Sequence, residues 1–239
     1  MRFLLILRYL AWVCLLLPIA QGASGQEEQT ERGRRAWFVA SSIPEQVDNP
    51  MLVLAGGEVH EVTLSRRMVS NSVRIPRDGL IRVVRVIDNP EDPGEPAYQT
   101  LAAAQVAEGV SQALVILVPG AQQTEDGRVF RTSVQDLAGF QGGDYMFLNL
   151  SPMNVAIQMG DDRKAVQPGR REIFAGPRRN DPVNTPISYY YQDRAANQWR
   201  LISASTVVRM PTRREICIFS WDPRFERISY HGVTFPVSP

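Results

Sequence analysis

The sequence predicts an all-β chain: two tandem antiparallel β-sandwich domains behind an export signal. Three observations carry this. Beyond Arg35, short runs rich in Val, Ile, Leu, Phe and Tyr alternate with Gly, Pro, Asp and Asn clusters at close spacing. The same order of runs recurs at an offset of about one hundred residues. The first 25 residues have the composition of a signal peptide.

The signal is read first because it must be removed before any fold argument. Met1 to Arg8 carries Arg2 and Arg8, and Tyr9 to Ala20 is apolar over a length short of a comfortable membrane span. Small residues follow, and cleavage after Gly22 or after Gly25 fits equally well. A retained anchor over Phe3 to Ala20 would place Arg8 in hydrocarbon, so the sequence favours cleavage and no stable membrane span. Ala11, Trp12 and Val13 do not make Cys14 a lipoprotein cysteine. Residues 26–35 (QEEQTERGRR) are charged and without periodicity, which predicts a solvated tail.

Composition bounds the remainder. Loss of Arg2 and Arg8 from 26 basic residues leaves 24 against 25 acidic ones, a net charge near −1, which gives no bulk electrostatic case for nucleic acid. Only Cys217 survives cleavage, so the mature chain has no intramolecular disulfide and must rest on its core. The expected location is exported, periplasmic or extracellular.

Five blocks carry the repeat. Trp37 to Pro44 aligns with Tyr145 to Pro152, and Leu52 to Gly57 with Val155 to Gly160, each of the latter followed by an acidic residue and a second strand of a hairpin. Tyr98 to Ala104 aligns with Trp199 to Ser205. Leu114 to Val118 aligns with Ile216 to Ser220, both apolar on the two pleat faces and so central in their sheets. Arg128 to Val134 aligns with Arg224 to Tyr230. The blocks predict a first sandwich over residues 36–141 and a second over 142–239, each of immunoglobulin-like size with seven or eight strands, divided at the glycines of FQGGD. One large sandwich with a shared core would use the same strands. Leu101 to Glu108 has some helical propensity but alternates as a strand.

Catalytic templates fail one by one. His60 and His231 stand far apart in sequence without a second ligand at metal spacing, so no metal site is expected. Cys217 lies between Ile216 and Ile218, where a thiol behaves as a buried hydrophobe. G-x-S-x-G, S-x-x-K, H-E-x-x-H, P-loop and G-x-G-x-x-G motifs are absent from the sequence. Asp161-Asp162, Glu91-Asp92 and Glu125-Asp126 sit in turn-like loops, where carboxylates bond local amides. No catalytic residue and no cofactor is expected.

Aromatic residues of the second half are the best binding candidates. In Tyr189-Tyr190-Tyr191 the middle ring faces opposite to its neighbours. Tyr189, Tyr191, Trp199 and Trp221 could together stack on a sugar or a peptide, although core filling accounts for Trp199 and one tyrosine face more simply. The arginine doublets Arg66-Arg67, Arg170-Arg171, Arg178-Arg179 and Arg213-Arg214 read as solvated hairpin positions that discourage edge pairing.

The stretch Gly142-Gly143-Asp144-Tyr145-Met146-Phe147-Leu148-Asn149-Leu150-Ser151 resembles the strand entry of secreted bacterial β-sandwich proteins of unknown function, a likeness that continues to Gly169 and covers about a quarter of the mature chain. That resemblance implies the fold and no activity. Two immunoglobulin-like domains behind a signal are also similar to periplasmic fimbrial chaperones, which implies a basic pair in the interdomain cleft; the sequence does not place that pair. The expectation is a non-enzymatic cell-envelope protein whose partner is another envelope protein or a polysaccharide. A carbohydrate module built on the four aromatics is the alternative, and a chaperone-like protein the second.

Overall fold

Alternation of apolar and polar residues, punctuated by turn formers, sets sixteen strands and no helix among the described residues of the computed structural model, which are 33–90, 92, 94–120, 127–177, 181–193 and 195–236. The export signal and most of the polar tail lie outside them. In the first half the strands are β1 (Arg35–Ala40), β2 (Met51–Ala55), β3 (Glu58–Val62), β4 (Val73–Arg74), β5 (Leu80–Ile87), β6 (Ala97–Gln105), β7 (Gln112–Pro119) and β8 (Phe130–Asp136). The second half supplies β9 (Tyr145–Asn149), β10 (Val155–Met159), β11 (Asp162–Val166), β12 (Arg171–Phe174), β13 (Val183–Asp193), β14 (Gln198–Arg209), β15 (Arg213–Asp222) and β16 (Arg227–Pro236). Arg34 and Arg35, assigned to the tail by composition, are already in the fold: Arg34 donates Nε to the Val110 carbonyl at 2.9 Å and Arg35 opens β1.

The strands form four sheets of four, ordered β4-β1-β7-β8, β3-β2-β5-β6, β12-β9-β15-β16 and β11-β10-β13-β14. Adding eight to each label of the first two orders reproduces the last two, so the two tandem β-sandwiches share one topology. Even their irregularities correspond. A bulge sets Leu101 between the pairs Val83↔Ala102 and Val84↔Thr100, and another sets Ile202 between Tyr189↔Ser203 and Tyr190↔Leu201. Both β2–β3 and β10–β11 turns start on a left-handed glycine, Gly56 at φ 59° and Gly160 at φ 60°.

Two features correct the expectation. The sandwiches are not wholly antiparallel, because β1 runs parallel to β7 and β9 parallel to β15. The strand order also departs from the immunoglobulin pattern, in which the first and second strands share a sheet. Here β1 crosses to lie beside β7, leaving β2 to pair with β3 and β5. Sequence spacing sees hairpins; it does not see which sheet a first strand joins.

Each sandwich has its own core. Phe38, Val53, Val83, Leu101, Val115 and Leu117 fill the first, and Phe147, Ile157, Tyr189, Cys217 and Phe219 the second. A third cluster joins the halves: Val39, Leu114 and Ile116 from the first pack with Met146, Leu148, Ile216, Ile218, Val233 and Phe235 from the second. Alternation therefore splits β1, β7, β9 and β15 between two cores. Val115 and Leu117 point into the first sandwich while Leu114 and Ile116 point out of it, and neither face meets water. The continuous apolar runs reflect sheets covered on both sides.

Polar ties reinforce this contact. Arg171 and Arg214 donate to the carbonyls of Asp136 and Phe140, and Arg214 lies 4.2 Å over the Phe235 ring. These doublet members are structural links, not solvated edge residues. The β3–β4 connection meets β16 through a Met68↔Thr234 bridge, with Thr234 N donating to the Arg67 carbonyl at 3.2 Å.

His231 sits on β16 in phase with Val233 and Phe235, and both its ring nitrogens are buried without a partner among the described residues. Burial, with the Arg66 charge adding to it, pushes its pKa down to about 4. The unfolded chain, titrating near 6.5, binds the proton that the native imidazole refuses, so stability rises with pH between about 4 and 6.5. This group contributes on the order of 2–3 kcal/mol across that window. Urea midpoints at pH 4.5 and 7 are expected to differ less in His231→Leu than in the unsubstituted protein; equal differences would contradict this. Burial holds the Glu215 carboxyl above its ordinary range and acts in the opposite sense, but identically in both proteins.

Candidate functional site

The two sandwiches differ most where their sheet edges meet. In the first, the free edges of β6 and β8 are sewn together: Val129 N donates to the Leu101 carbonyl at 2.9 Å and Thr132 Oγ1 to the Ala103 carbonyl at 2.8 Å. Val129 packs against the first core. In the second, no hydrogen bond joins β14 to β16 among the described residues. A cavity of about 480 Å³ lies there instead, lined by Met153, Tyr191, Ile202, Ser203, Glu226, Arg227, Ile228, Ser229 and Tyr230. The corresponding recess of the first sandwich, beside Val129 and Phe130, holds about 280 Å³.

The seam residues have counterparts in both halves: Val129 and Thr132 correspond in register to Arg227 and Tyr230, which make no hydrogen bond to β14 among the described residues. Ten residues separate β7 from β8, and the last of them, Val129, makes the seam bond. Only four separate β15 from β16, where Asp222 Oδ1 accepts Arg224 N at 3.0 Å and Glu226 adopts φ 49°. Among the described residues no amide of that hairpin donates to the Ile202 carbonyl, which the shared bulge places where the first sandwich places Leu101. Strand β14 is left as a sheet edge of 12 residues, largely exposed, with no proline, lysine or carboxylate to blunt it.

The four sequence-predicted site residues divide. Tyr189 is 8% exposed in the second core, its ring edge-on to Phe219 at 5.3 Å and Tyr230 at 4.8 Å. Tyr191 lines the seam cavity. Trp199, 39% exposed, turns to the outer face of its sheet with Tyr190, while Trp221, 37% exposed, lies on β15 opposite Ile228. Among the described residues no ring contact joins Trp199 or Trp221 to another of the four. The four therefore do not form one platform: Tyr189 lies in the core, Tyr191 at the seam, Trp199 on the outer face and Trp221 on β15. Sequence reasoning missed Tyr190, Ile202, Tyr230 and Arg163; the alternation through Tyr189–Tyr191 was the available signal for Tyr190, whereas the bulge that redirects Ile202 has none.

On the outer face, Arg163 of β11 reaches across β10. Its guanidinium lies 4.9 Å from the Tyr190 ring centroid and 5.8 Å from that of Trp199. Beside Trp199 its cross-strand partner Gln192 is held in place, accepting from Asn154 Nδ2 and donating to Asn197 Oδ1, both at 2.8 Å.

Burial pushes the Cys217 thiol up to about 12, only partly opposed by its hydrogen bond with Tyr189. It stays protonated at neutral pH. His60 lies 3.7 Å from Glu58, and among the described residues no three His, Cys, Asp or Glu side chains converge as metal ligands. No described helix is long and apolar enough to cross a membrane. No protein-family model matches this chain, and no curated protein is significantly similar to it.

Proposed function

We propose that this chain is an exported, non-enzymatic cell-envelope protein acting as a structural or protein-binding β-sandwich module, and that β14 with its adjoining seam docks an extended segment of another envelope protein. One observation carries the reading: the seam that the first sandwich closes with Val129–Thr132 stands open in the second, beside a long exposed edge. Strand addition obtains affinity from main-chain bonds and specificity from pockets for alternate side chains, and edge plus cavity offer both. Export rests on the composition of Met1 to Gly25.

The first sandwich supplies its own probe. A fluorescent peptide of residues 128–133 is expected to bind saturably to the full chain, and Ile202→Asp to weaken it about tenfold or more by placing a carboxylate in the seam. Absence of saturable binding, or equal binding by the variant, would remove the seam as a docking surface. Crosslinked co-purification from the native envelope then identifies the partner, whose yield is expected to fall with Ile202→Asp.

A further inference from the structure

We propose that the outer face of the β11-β10-β13-β14 sheet is a second binding site, for an acidic polysaccharide, centred on Arg163, Tyr190 and Trp199. The face is built in a way that folding alone does not call for. Trp199 is 39% and Leu201 57% exposed on one strand, paired across to Gln192 and Tyr190 on the same outer face. Arg163 is exposed, and its recorded contacts among the described residues are the two aromatic faces, with no carboxylate neutralising it. Its charge is held on an aromatic ledge and remains open to an anion.

The repeat supplies a control within the same molecule. Equivalent registers of the first sandwich place Val59, Val84 and Tyr98 where the second has Arg163, Tyr190 and Trp199. Two of these positions are aliphatic and the third a tyrosine, so the scaffold requires neither a guanidinium at the Arg163 position nor an indole at the Trp199 position. What the second sandwich adds at these positions is a second ring, a guanidinium and the fixed carboxamide of Gln192.

Those three groups match the three kinds of surface on a uronic acid residue. The apolar C–H face of the pyranose rests on the Trp199 indole and Leu201, its hydroxyls meet Gln192, and its carboxylate meets Arg163. An acidic peptide would satisfy the guanidinium but leave flat rings opposite a flexible backbone. Charge complementarity selects an acidic over a neutral glycan. Sheet rows about 4.8 Å apart let successive sugars run across the strands.

The test is titration calorimetry of the full chain with polygalacturonate, with its methyl-esterified form and with polyglutamate. Polygalacturonate is expected to bind, and esterification, Arg163→Gln and Trp199→Ala each to weaken it about tenfold or more at unchanged urea midpoint. Ile202→Asp, which blocks the seam, is expected to leave it unaffected, so failure of this site and failure of the seam are separately visible. Equal affinity for the esterified polymer, tighter binding of polyglutamate, unchanged affinity in both face variants, or no binding at all would overturn the proposal.

Discussion

Ile216→Ala is expected to lower stability by about 3 kcal/mol and to destabilise both sandwiches together. Ile216 is fully buried on β15, pointing away from the second core into the cluster shared with Val39, Leu114 and Ile116. Removing three carbons there costs their transfer free energy and leaves a cavity between two sheets that are each fixed from behind, so collapse onto the void is limited. The loss falls on the contact that both halves use. Hydrogen exchange of β7 and β15 amides is the direct readout: their protection is expected to fall equally, in one cooperative transition. Loss of protection in β15 with β7 unchanged would mean that the sandwiches unfold independently and the third core adds little.

Asp144→Ala is expected to be at least as severe, costing about 3–5 kcal/mol. Asp144 is 2% exposed at the entry to the second sandwich, where Oδ2 accepts Gln141 N at 2.8 Å and Oδ1 accepts Gly176 N at 2.6 Å. Its charge also faces the buried guanidinium of Arg209 and that of Arg214. Gly143 and Gly176 approach so closely here that a Cβ on Gly176 would stand 2.6 Å from the Gly143 carbonyl carbon. Truncation removes the carboxylate that both amides donate to and leaves two arginines short of a counter-charge. Asp144→Asn restores one acceptor but turns an NH₂ toward the other amide, and is expected to recover part of the loss. Urea unfolding ranks the three proteins, and a cost below about 1 kcal/mol for Asp144→Ala would show the node to be dispensable.

The architecture was legible in residue pattern to an uneven depth. Aligning Leu114–Val118 with Ile216–Ser220, and Tyr98–Ala104 with Trp199–Ser205, gives the spatial register, including the bulge residues Leu101 and Ile202. Two other blocks slip by one. Trp37 corresponds in space to Met146, not Tyr145, as the bonds of Ser41 N to Leu117 O and Leu150 N to Phe219 O show. Such a slip exchanges pleat faces, which is why Trp37 joins the shared core while Tyr145 joins the second. Strands apolar on both faces carry no phase, so hydrophobicity alone could not fix it. Arg128–Val134 was set two residues off because the connections before β8 and β16 differ in length.

The candidate site was legible only in its materials. An aromatic cluster in the second half is visible as composition, and its division between core, seam and outer face follows from strand parity once pairing is known. The seam itself is invisible residue by residue, because it depends on bonds between strands that are not neighbours in any sheet, made by Val129 and Thr132 and not by their counterparts Arg227 and Tyr230.

That asymmetry makes accessibility a matter of two hydrogen bonds. Where Val129 and Thr132 tie two sheet edges together, their register counterparts Arg227 and Tyr230 leave the β14 edge and the pocket behind it open. One strand order thus yields a closed module and an open one side by side in the same chain.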